Sequence, residues 1–223
     1  KDQARIVYEQ AQAMVSVSPS LSRAIESRRT SLSVQGTFSS FKALASDSHK
    51  LDGLNPSGLI LDELHSWAGR GLWDVLATAT GSRQQPLTFA ITTAGFDRQS
   101  ICWEQEDYSR KVMDGVIDDP SWFAFVATLD EGDEWTDPGV WAKANPNLNV
   151  TMSPDYLQTQ ANQALESPGR VQAFRRLHAN CWTESVTQFL DLQKWDEGNL
   201  PIDYDELKGM PCYAGLDLAS TTD

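Results

Sequence analysis

Two adjacent carboxylates, Asp62 and Glu63, are the residues whose type and spacing most clearly predict chemistry. They follow the uncharged run Gly58–Leu61, which itself follows a loop-forming run over residues 53–57. A short uncharged run of this kind predicts a strand buried on both faces. Because open α/β sheets bind ligands at the carboxyl ends of their strands, we expect the acidic pair to face a ligand site.

Phosphate transfer is the chemistry that such a pair suits. One carboxylate holds Mg²⁺, directly or through water, and a second orients and deprotonates the attacking water. Asp62 and Glu63 would take these roles in that order. An acidic loop after a buried strand is common, so the pattern alone also suits an ordinary solvated strand end.

A third acid, Asp217, ends the predicted strand 212–218 and precedes the small polar residues 219–223. This arrangement is typical of a metal-dependent nuclease, in which clustered carboxylates hold two Mg²⁺ ions that activate water and stabilise the leaving oxygen. Asp217 would be the central ligand, and the remaining ligands would lie downstream.

The elements around the acidic pair predict how it is positioned. A helix over Gly71–Ala79 separates the first strand from a second one over Leu87–Thr92. Strand, helix and strand of these lengths predict a right-handed parallel crossover. Thr92 and Thr93 would then emerge beside the carboxylates, where their hydroxyls either sense a γ-phosphate or cap the next turn.

Elsewhere the pattern predicts mostly helices. Ser-Pro pairs at Ser18-Pro19, Ser153-Pro154 and Ser167-Pro168 are typical helix starts. The third of these helices, 168–180, carries several basic residues, for which an exposed basic face is preferred over a DNA contact. The further elements predicted are an amphipathic helix over 2–15, a hairpin around the turn 35–37, a helix over 101–116, a strand over Trp122–Ala127 and a linker over 199–211.

Composition excludes several classes of protein. The chain has 223 residues, 40% of them hydrophobic, and 18 basic against 31 acidic residues give a net charge of −13. A large basic surface for non-specific DNA binding is therefore not expected. Three widely spaced cysteines and three isolated histidines form neither a disulfide framework nor a zinc pattern. No run is long and apolar enough for a bilayer, so a soluble cytoplasmic protein without membrane contact is expected.

Six stretches together resemble one family, the large terminase subunits of tailed bacteriophages, particularly the group similar to phage HK97. They occur in consistent order over nearly the whole chain, which makes the resemblance specific. The stretches are Leu51-Asp52-Gly53-Leu54-Asn55-Pro56, Leu61-Asp62-Glu63-Leu64-His65, Ala90-Ile91-Thr92-Thr93-Ala94-Gly95-Phe96-Asp97, Lys143-Ala144-Asn145-Pro146-Asn147-Leu148, Phe174-Arg175-Arg176-Leu177-His178-Ala179-Asn180 and Gly215-Leu216-Asp217-Leu218-Ala219-Ser220-Thr221-Thr222-Asp223.

This resemblance implies an ATP-driven motor that moves double-stranded DNA into the procapsid and an endonuclease that cuts concatemeric viral DNA. The implied fold is α/β. An ASCE-type P-loop ATPase core with a mainly parallel sheet would occupy residues 1–99, a mostly helical lid or linker subdomain 100–210, and the first strand of an RNase H-like nuclease 211–223.

The resemblance also implies roles for individual residues. Asp62 matches the Walker B aspartate and Glu63 the catalytic glutamate, while Thr92 and Thr93 match the motif that couples hydrolysis to movement. Asp217 matches the first metal ligand of the nuclease. The resemblance also implies that Asp223 takes part in the nuclease site. It implies Arg28 or Arg29 as the nearest candidate for an arginine finger.

The implied cofactors are ATP and Mg²⁺, with Mg²⁺ or Mn²⁺ at the nuclease site. The implied partners are double-stranded DNA, the portal protein, the small terminase subunit and further copies of the chain in a ring. Such an assembly works in the host cytoplasm and is absent from the mature virion.

One departure from the family pattern is large. The glycine-rich phosphate loop G-x-x-x-x-G-K-[S/T] occurs nowhere in the sequence, and neither do the later nuclease carboxylates. We therefore expect an internal fragment of the subunit. Two alternatives stay open: a fragment of a DExH helicase, because Asp62-Glu63-Leu64-His65 satisfies that box, and a non-catalytic assembly module that docks on the portal or small subunit.

The absence of a phosphate loop generates a first prediction. The 223-residue polypeptide alone should not turn over ATP, because carboxylates without the lysine and the backbone cradle leave the β- and γ-phosphates unheld. Phosphate release in the presence of Mg²⁺ measures this. A rate comparable with that of the full-length protein would contradict the expectation.

Overall fold

The computed structural model describes residues 2–44 and 53–183, together with residues 198, 205, 208, 209 and 211. The chain divides into two compact units, Lys1–Thr187 and Gln188–Asp223, and nearly all described residues belong to the first. The predicted strand around Asp217 lies outside the described residues, as do Asp223 and Cys212. Within the described residues, no helix is both long and apolar enough to span a membrane.

The amino-terminal region combines two helices with a small antiparallel sheet. Helix α1 spans Asp2–Val17 and α2 spans Pro19–Ala24, and the strands are β1 (Ile25–Ser27), β2 (Ser31–Val34) and β3 (Ser40–Lys42) in the order β1-β2-β3. As predicted, the Ser18 side chain caps α2 by accepting from the amide of Leu21. Tyr8, Val15 and Leu32 form the core between α1 and the sheet. The sequence predicted the hairpin of β2 and β3 but missed β1.

The predicted parallel crossover is confirmed. Strand β4 (Gly58–Asp62) pairs in parallel with β5 (Leu87–Ile91), and α3 (Gly71–Ala79) connects them. The register runs from Gly58 opposite Leu87 to Asp62 opposite Ile91. Leu59 and Leu61 pack with Leu76 of α3 in a buried cluster. Alternate residues of β4 therefore attach the sheet to its crossover helix.

The expectation that β4 is buried on both faces is wrong. Ile60 is 50% exposed, and in β5 Phe89 is 52% and Ile91 is 50% exposed. Within the described part of the chain, α3 covers only the face that carries Leu59 and Leu61. An apolar run indicates that side chains are suited to burial, but the burial itself depends on a second layer packing against them.

Helix α4 spans Ile101–Met113, three residues shorter than predicted, and Ser100 caps its start by accepting from the amide of Trp103.

The predicted strand over Trp122–Ala127 is not formed, because these residues pair with no other strand within the described ranges. Their burial nevertheless alternates, and Phe123 is 89% and Phe125 72% exposed. The segment has the pattern of a strand but no neighbour to complete a ladder.

The remaining helices are α5 (Trp141–Ala144), α6 (Pro154–Leu165) and α7 (Pro168–Leu177). Helix α6 begins at the predicted Ser153-Pro154 start, with Ser153 capping it, whereas α7 ends three residues before its predicted end. Trp141, Leu157, Ala161, Ala164 and Phe174 form a common core. We call α5, α6 and α7 the helical subdomain, since this core holds them together.

Helix α6 offers a matched test of that core. Leu157 is fully buried while Leu165, eight residues later in the same helix, is 60% exposed. We expect Leu157→Ala to lower the free energy of unfolding by about 2–5 kcal/mol through lost burial and a residual cavity. Leu165→Ala should change it by about 0.5 kcal/mol or less. Urea unfolding of both variants measures the difference, and equal losses would contradict the assigned core.

Candidate functional site

The acidic pair lies where β4 ends and the chain turns. Asp62 is the last residue of β4, and the amide of Glu63 extends the parallel ladder by donating to the carbonyl oxygen of Ile91 at 2.9 Å. The Asp62 carbonyl accepts from the indole Nε1 of Trp67 at 3.2 Å. Both polar groups of the peptide bond that joins the two acids are thereby hydrogen-bonded.

Glu63 has an unusual backbone conformation. Its φ of 53° and ψ of 49° place it in the left-handed region, immediately before the short 3-10 helix Leu64–Ser66. This region is uncommon for a residue with a long side chain, and such residues concentrate at functional sites. The turn interrupts the strand between Asp62 and Leu64, so the two carboxylates do not simply alternate across the sheet.

His65 lies at the centre of the predicted site residues. Its Nδ1 is 3.1 Å from Glu63 Oε2, 3.2 Å from Thr92 Oγ1 and 3.3 Å from Thr93 Oγ1. Its backbone amide donates to Thr92 Oγ1 at 3.0 Å. One imidazole nitrogen therefore touches the glutamate of one strand end and both threonines of the next.

One oxygen of the Glu63 carboxylate lies close to His65 but lacks a hydrogen-bond donor. Oε2 is buried and lies 3.1 Å from His65 Nδ1, and no described residue donates a hydrogen bond to it. A buried carboxylate oxygen with no hydrogen bond is costly in a folded protein, and such groups are uncommon outside functional sites. Glu63 thus retains an acceptor for a further donor, such as a water molecule.

The two threonines differ in their contacts. Thr92 accepts from the His65 amide and donates to the Thr93 carbonyl oxygen at 2.9 Å, while its hydroxyl lies 3.7 Å from the Cys102 sulfur. The Thr93 hydroxyl contacts the His65 ring and hydrogen-bonds to no other described residue. Thr92 is therefore a structural link between the strand ends, and Thr93 has the freer hydroxyl.

The residues present are compatible with Mg²⁺ and a nucleotide. In the part of the chain that the structure describes, no three His, Cys, Asp or Glu side chains cluster as metal ligands. Mg²⁺ is usually bound by one or two carboxylates with waters and substrate phosphates, so it needs no such cluster. Asp62 provides the carboxylate at the strand end, and Glu63 provides the unsatisfied oxygen beside it.

Four candidate site residues lie at one sheet edge, as the predicted crossover implies, and the structure adds two residues that contact this edge. Asp62, Glu63, Thr92 and Thr93 are brought together, whereas His65 was noticed only as the last letter of a motif. Asn180 was missed as well, although its amide oxygen accepts from the Ala94 amide at 2.6 Å. The two-residue spacing of Glu63 and His65 was a usable signal, but no local signal indicates a contact over 86 residues.

The basic residues of α7 are less exposed than expected. Arg175 and Arg176 are half-buried, and each has a buried Nε without a hydrogen-bond partner. The Arg176 guanidinium lies 5.6 Å from the Phe96 ring centre. Burial lowers the pKa of His178 from its ordinary value, which favours the neutral imidazole. The prediction of a fully exposed basic face is therefore wrong for these residues.

Cys102, whose sulfur lies beside the Thr92 hydroxyl, provides a test of whether solvent reaches the buried side of the site. Burial raises the pKa of its thiol to about 11, and the charge of Glu106 adds to this, while the Thr92 hydroxyl opposes it. The thiolate is the reactive form, so Cys102 should resist iodoacetamide at pH 8 and react only near pH 11 or after unfolding in urea. Peptide mass spectrometry distinguishes its labelling from that of the partly exposed Cys181. Rapid labelling of folded Cys102 at pH 8 would contradict this packing.

Comparisons with known proteins agree on one family. The family model "Terminase large subunit, ATPase domain" matches residues 1–111, and "Terminase large subunit, endonuclease domain" matches residues 116–223. The "Terminase, large subunit" of Enterobacteria phage HK97 is 26% identical over 230 residues, which cover 100% of this chain and 44% of that protein. "Protein YmfN" of Escherichia coli (strain K12) is 32% identical over 173 residues, or 77% of this chain and 38% of that protein.

The fold agrees with the sequence matches. The crystal structure of the HK97 bacteriophage large terminase superimposes with a TM-score of 0.73 at 26% sequence identity, covering 91% of this chain and 42% of that one. The chain thus spans less than half the length of the relatives it matches. Because the two family models together cover nearly every residue and the solved structure shares the fold, the chain belongs to the terminase large subunit family.

Proposed function

We propose that this chain is part of a bacteriophage DNA-packaging motor, in which ATP hydrolysis at the Asp62-Glu63 site drives double-stranded DNA into the procapsid. One observation supports the proposal above all. Adjacent carboxylates lie at the carboxyl end of a parallel strand, beside the threonines of the neighbouring strand, in a chain of the terminase family. That edge is where open α/β sheets bind their ligands.

Asp62 would hold Mg²⁺ and Glu63 would act on water. Mg²⁺ held there would supply positive charge beside the phosphates. The Glu63 carboxylate would accept a proton from the attacking water and keep that water aimed at the γ-phosphorus. His65 Nδ1 lies 3.1 Å from Glu63 Oε2 and restrains the carboxylate on one side.

Thr93 is suited to reporting the state of the nucleotide. Its hydroxyl contacts His65 Nδ1, which also contacts Glu63, so a change at the γ-phosphate reaches the loop after β5 through one side chain. Thr92 and Thr93 together would couple hydrolysis to movement, and Thr92 would do so by anchoring the loop.

The phosphate cradle would come from a part of the subunit beyond these 223 residues, since the chain spans less than half of its relatives. Residues 1–99 would then form the later part of an ASCE-type ATPase core, and the match of residues 1–111 to the ATPase family model supports this. Residues 100–210 would form the lid or linker. Residues 211–223 would begin an RNase H-like nuclease. The endonuclease family model matches residues 116–223, so it includes most of this lid or linker as well as that strand.

Asp217 would be the first ligand of a second metal site, which cuts concatemeric DNA using Mg²⁺ or Mn²⁺, and Asp223 would assist it. Both residues lie outside the described residues, so this assignment depends on the sequence motif and the endonuclease match. Carboxylates from the remainder of the subunit would complete the site.

Arg29 is the better candidate for an arginine finger. Arg28 is engaged by the Glu26 carboxylate through Nε at 3.0 Å and through a second nitrogen at 3.1 Å, and this pairing raises the pKa of Arg28 further. Arg29 is exposed in the turn between β1 and β2 and forms no ion pair with any described residue. A guanidinium that reaches the nucleotide of a neighbouring subunit must be free in this way.

The proposed partners are further copies of the chain in a homo-oligomeric ring, the portal protein and the small terminase subunit. The assembly would work in the host cytoplasm.

Two substitutions in the full-length subunit test this division of labour. Glu63→Gln should preserve nucleotide binding and lower the rate of ATP hydrolysis by roughly 10²- to 10⁴-fold, because the amide cannot accept the proton of water. Asp217→Asn should abolish DNA cleavage and leave hydrolysis unchanged. Phosphate release, nucleotide binding and cleavage of concatemeric DNA are the measurements.

Glu131→Gln is the matched control, since Glu131 is an exposed carboxylate in the loop before α5 and should leave all three activities unchanged. If Glu63→Gln hydrolyses ATP at the rate of this control, Glu63 is not the base. If either site variant loses both activities equally, the two sites are not separate.

A further inference from the structure

The segment that leaves α7 runs between two other parts of the fold. On one side the Asn180 amide oxygen accepts from the Ala94 amide at 2.6 Å, and the Thr183 amide donates to the Gly95 carbonyl oxygen at 3.4 Å. We call Thr92–Gly95 the coupling loop and residues 178–183 the connecting segment. The loop that follows the site is therefore hydrogen-bonded directly to the end of the helical subdomain.

On the other side the same residue contacts the extended segment before the acidic loop. The Asn180 amide nitrogen donates to the Ala127 carbonyl oxygen at 2.7 Å, and the Asn180 carbonyl oxygen accepts from the Thr128 hydroxyl at 2.9 Å. One carboxamide thus joins two backbone groups, the amide of Ala94 and the carbonyl oxygen of Ala127. Asn180 has a φ of 52°, a left-handed conformation that asparagine adopts more readily than most residues.

Aromatic packing closes the same junction. A Cβ on Gly95 would lie 2.9 Å from the Trp182 ring, so the loop backbone is in contact with that indole. Trp182 donates from Nε1 to Glu106 Oε2 at 2.6 Å and packs edge-to-face on Trp103, with ring centres 4.9 Å apart. Contacts with α4 therefore restrain Trp182. The coupling loop and the connecting segment have little room to move independently.

The connecting segment is also tied firmly to the helices. The Asn145 side chain donates to the carbonyl oxygens of Trp141 at 2.9 Å and His178 at 2.8 Å, and the His178 amide donates to the Phe174 carbonyl oxygen. Trp141 and Phe174 belong to the buried core of the helical subdomain. A displacement of α6 and α7 must therefore move Asn180.

From these contacts we propose that Asn180 is a positioning residue that transmits the state of the nucleotide site to the helical subdomain. It rests on the proposed function, because the coupling loop responds to nucleotide only if the Asp62-Glu63 site binds one. The chain of contacts runs from Glu63 through His65 and Thr93 to Ala94, and from the Ala94 amide through the Asn180 carboxamide to α7.

The carboxamide is required because it both accepts and donates. Alanine would leave the buried amide of Ala94 and the carbonyl oxygen of Ala127 unpaired. Aspartate could still accept from Ala94 but could not donate to Ala127. The two variants thus break the connection in different places, while neither touches Glu63 or Asp62.

The test compares Asn180→Ala and Asn180→Asp with Asn162→Ala in the full-length subunit. Asn162 is the matched control, since it is an exposed asparagine of α6 whose side chain accepts from Gln158 of the same helix and is hydrogen-bonded to no described residue of the connecting segment. Hydrogen exchange of the coupling loop and of α6 and α7 is measured with and without a non-hydrolysable ATP analogue. DNA length packaged per ATP hydrolysed, the KM for ATP and the melting temperature are measured beside it.

Both Asn180 variants should keep the response of the coupling loop to the analogue and lose that of α6 and α7. Packaged length per ATP should fall by about two- to thirty-fold with the KM unchanged, the range expected when a coupling contact is removed. Asn162→Ala should keep wild-type packaging per ATP and the wild-type response of α6 and α7 to the analogue. Aspartate should protect the Ala94 amide better than alanine does.

Two results overturn the inference. Either α6 and α7 respond to the analogue in Asn180→Ala as in wild type, or Asn162→Ala lowers packaging per ATP as much as Asn180→Ala. A different result contradicts the proposed function itself, namely a wild-type subunit whose coupling loop does not respond to the analogue and which hydrolyses no ATP. The two failures are therefore distinguishable in one set of measurements.

Discussion

The parallel pairing of β4 with β5 is the constraint on which the site depends. It sets Asp62 opposite Ile91, and the hydrogen bond from the Glu63 amide to the Ile91 carbonyl oxygen continues the ladder one residue further. Both strands therefore end at the same edge, and the residues that follow each strand meet. A one-residue slip would exchange the faces of every side chain and separate the acids from the threonines.

That edge is organised around a histidine. His65 is brought back towards β5 by the left-handed turn at Glu63 and by its own amide bond to Thr92. Its ring then contacts Glu63, Thr92 and Thr93 through one nitrogen. The strained backbone at Glu63 is thus compensated by contacts with the neighbouring strand end, an arrangement typical of a site that holds a reactive carboxylate in place.

In the rest of the described chain, some apolar surfaces are covered by another element and others are not. The helical subdomain has its own buried core, with Leu157 fully buried. The sheet of β4 and β5 is covered on one face only, and Ile60, Phe89 and Ile91 are about half exposed. The extended segment 122–127 has alternating burial without a pairing strand among the described residues.

The sequence by itself determined the features that local chemistry controls. Serine-proline pairs set the starts of α2, α6 and α7, and the break from uncharged residues to Asp62 set the end of β4. The lengths of β4, α3 and β5 were sufficient to predict a parallel crossover, and hence that Thr92 and Thr93 would lie near Glu63. Each of these signals lies within a few residues of the feature that it predicts.

Only the tertiary structure decided which groups touch. It placed the His65 ring between the glutamate and the threonines, left Ile60 half exposed, and joined Ala94 to Asn180 across 86 residues of chain. The physical reason is that burial and hydrogen bonding depend on what packs against a residue, and the packing partner is distant in sequence. Propensity indicates that Asn180 tolerates a left-handed backbone, but only the folded chain brings the two backbone groups within reach of its amide.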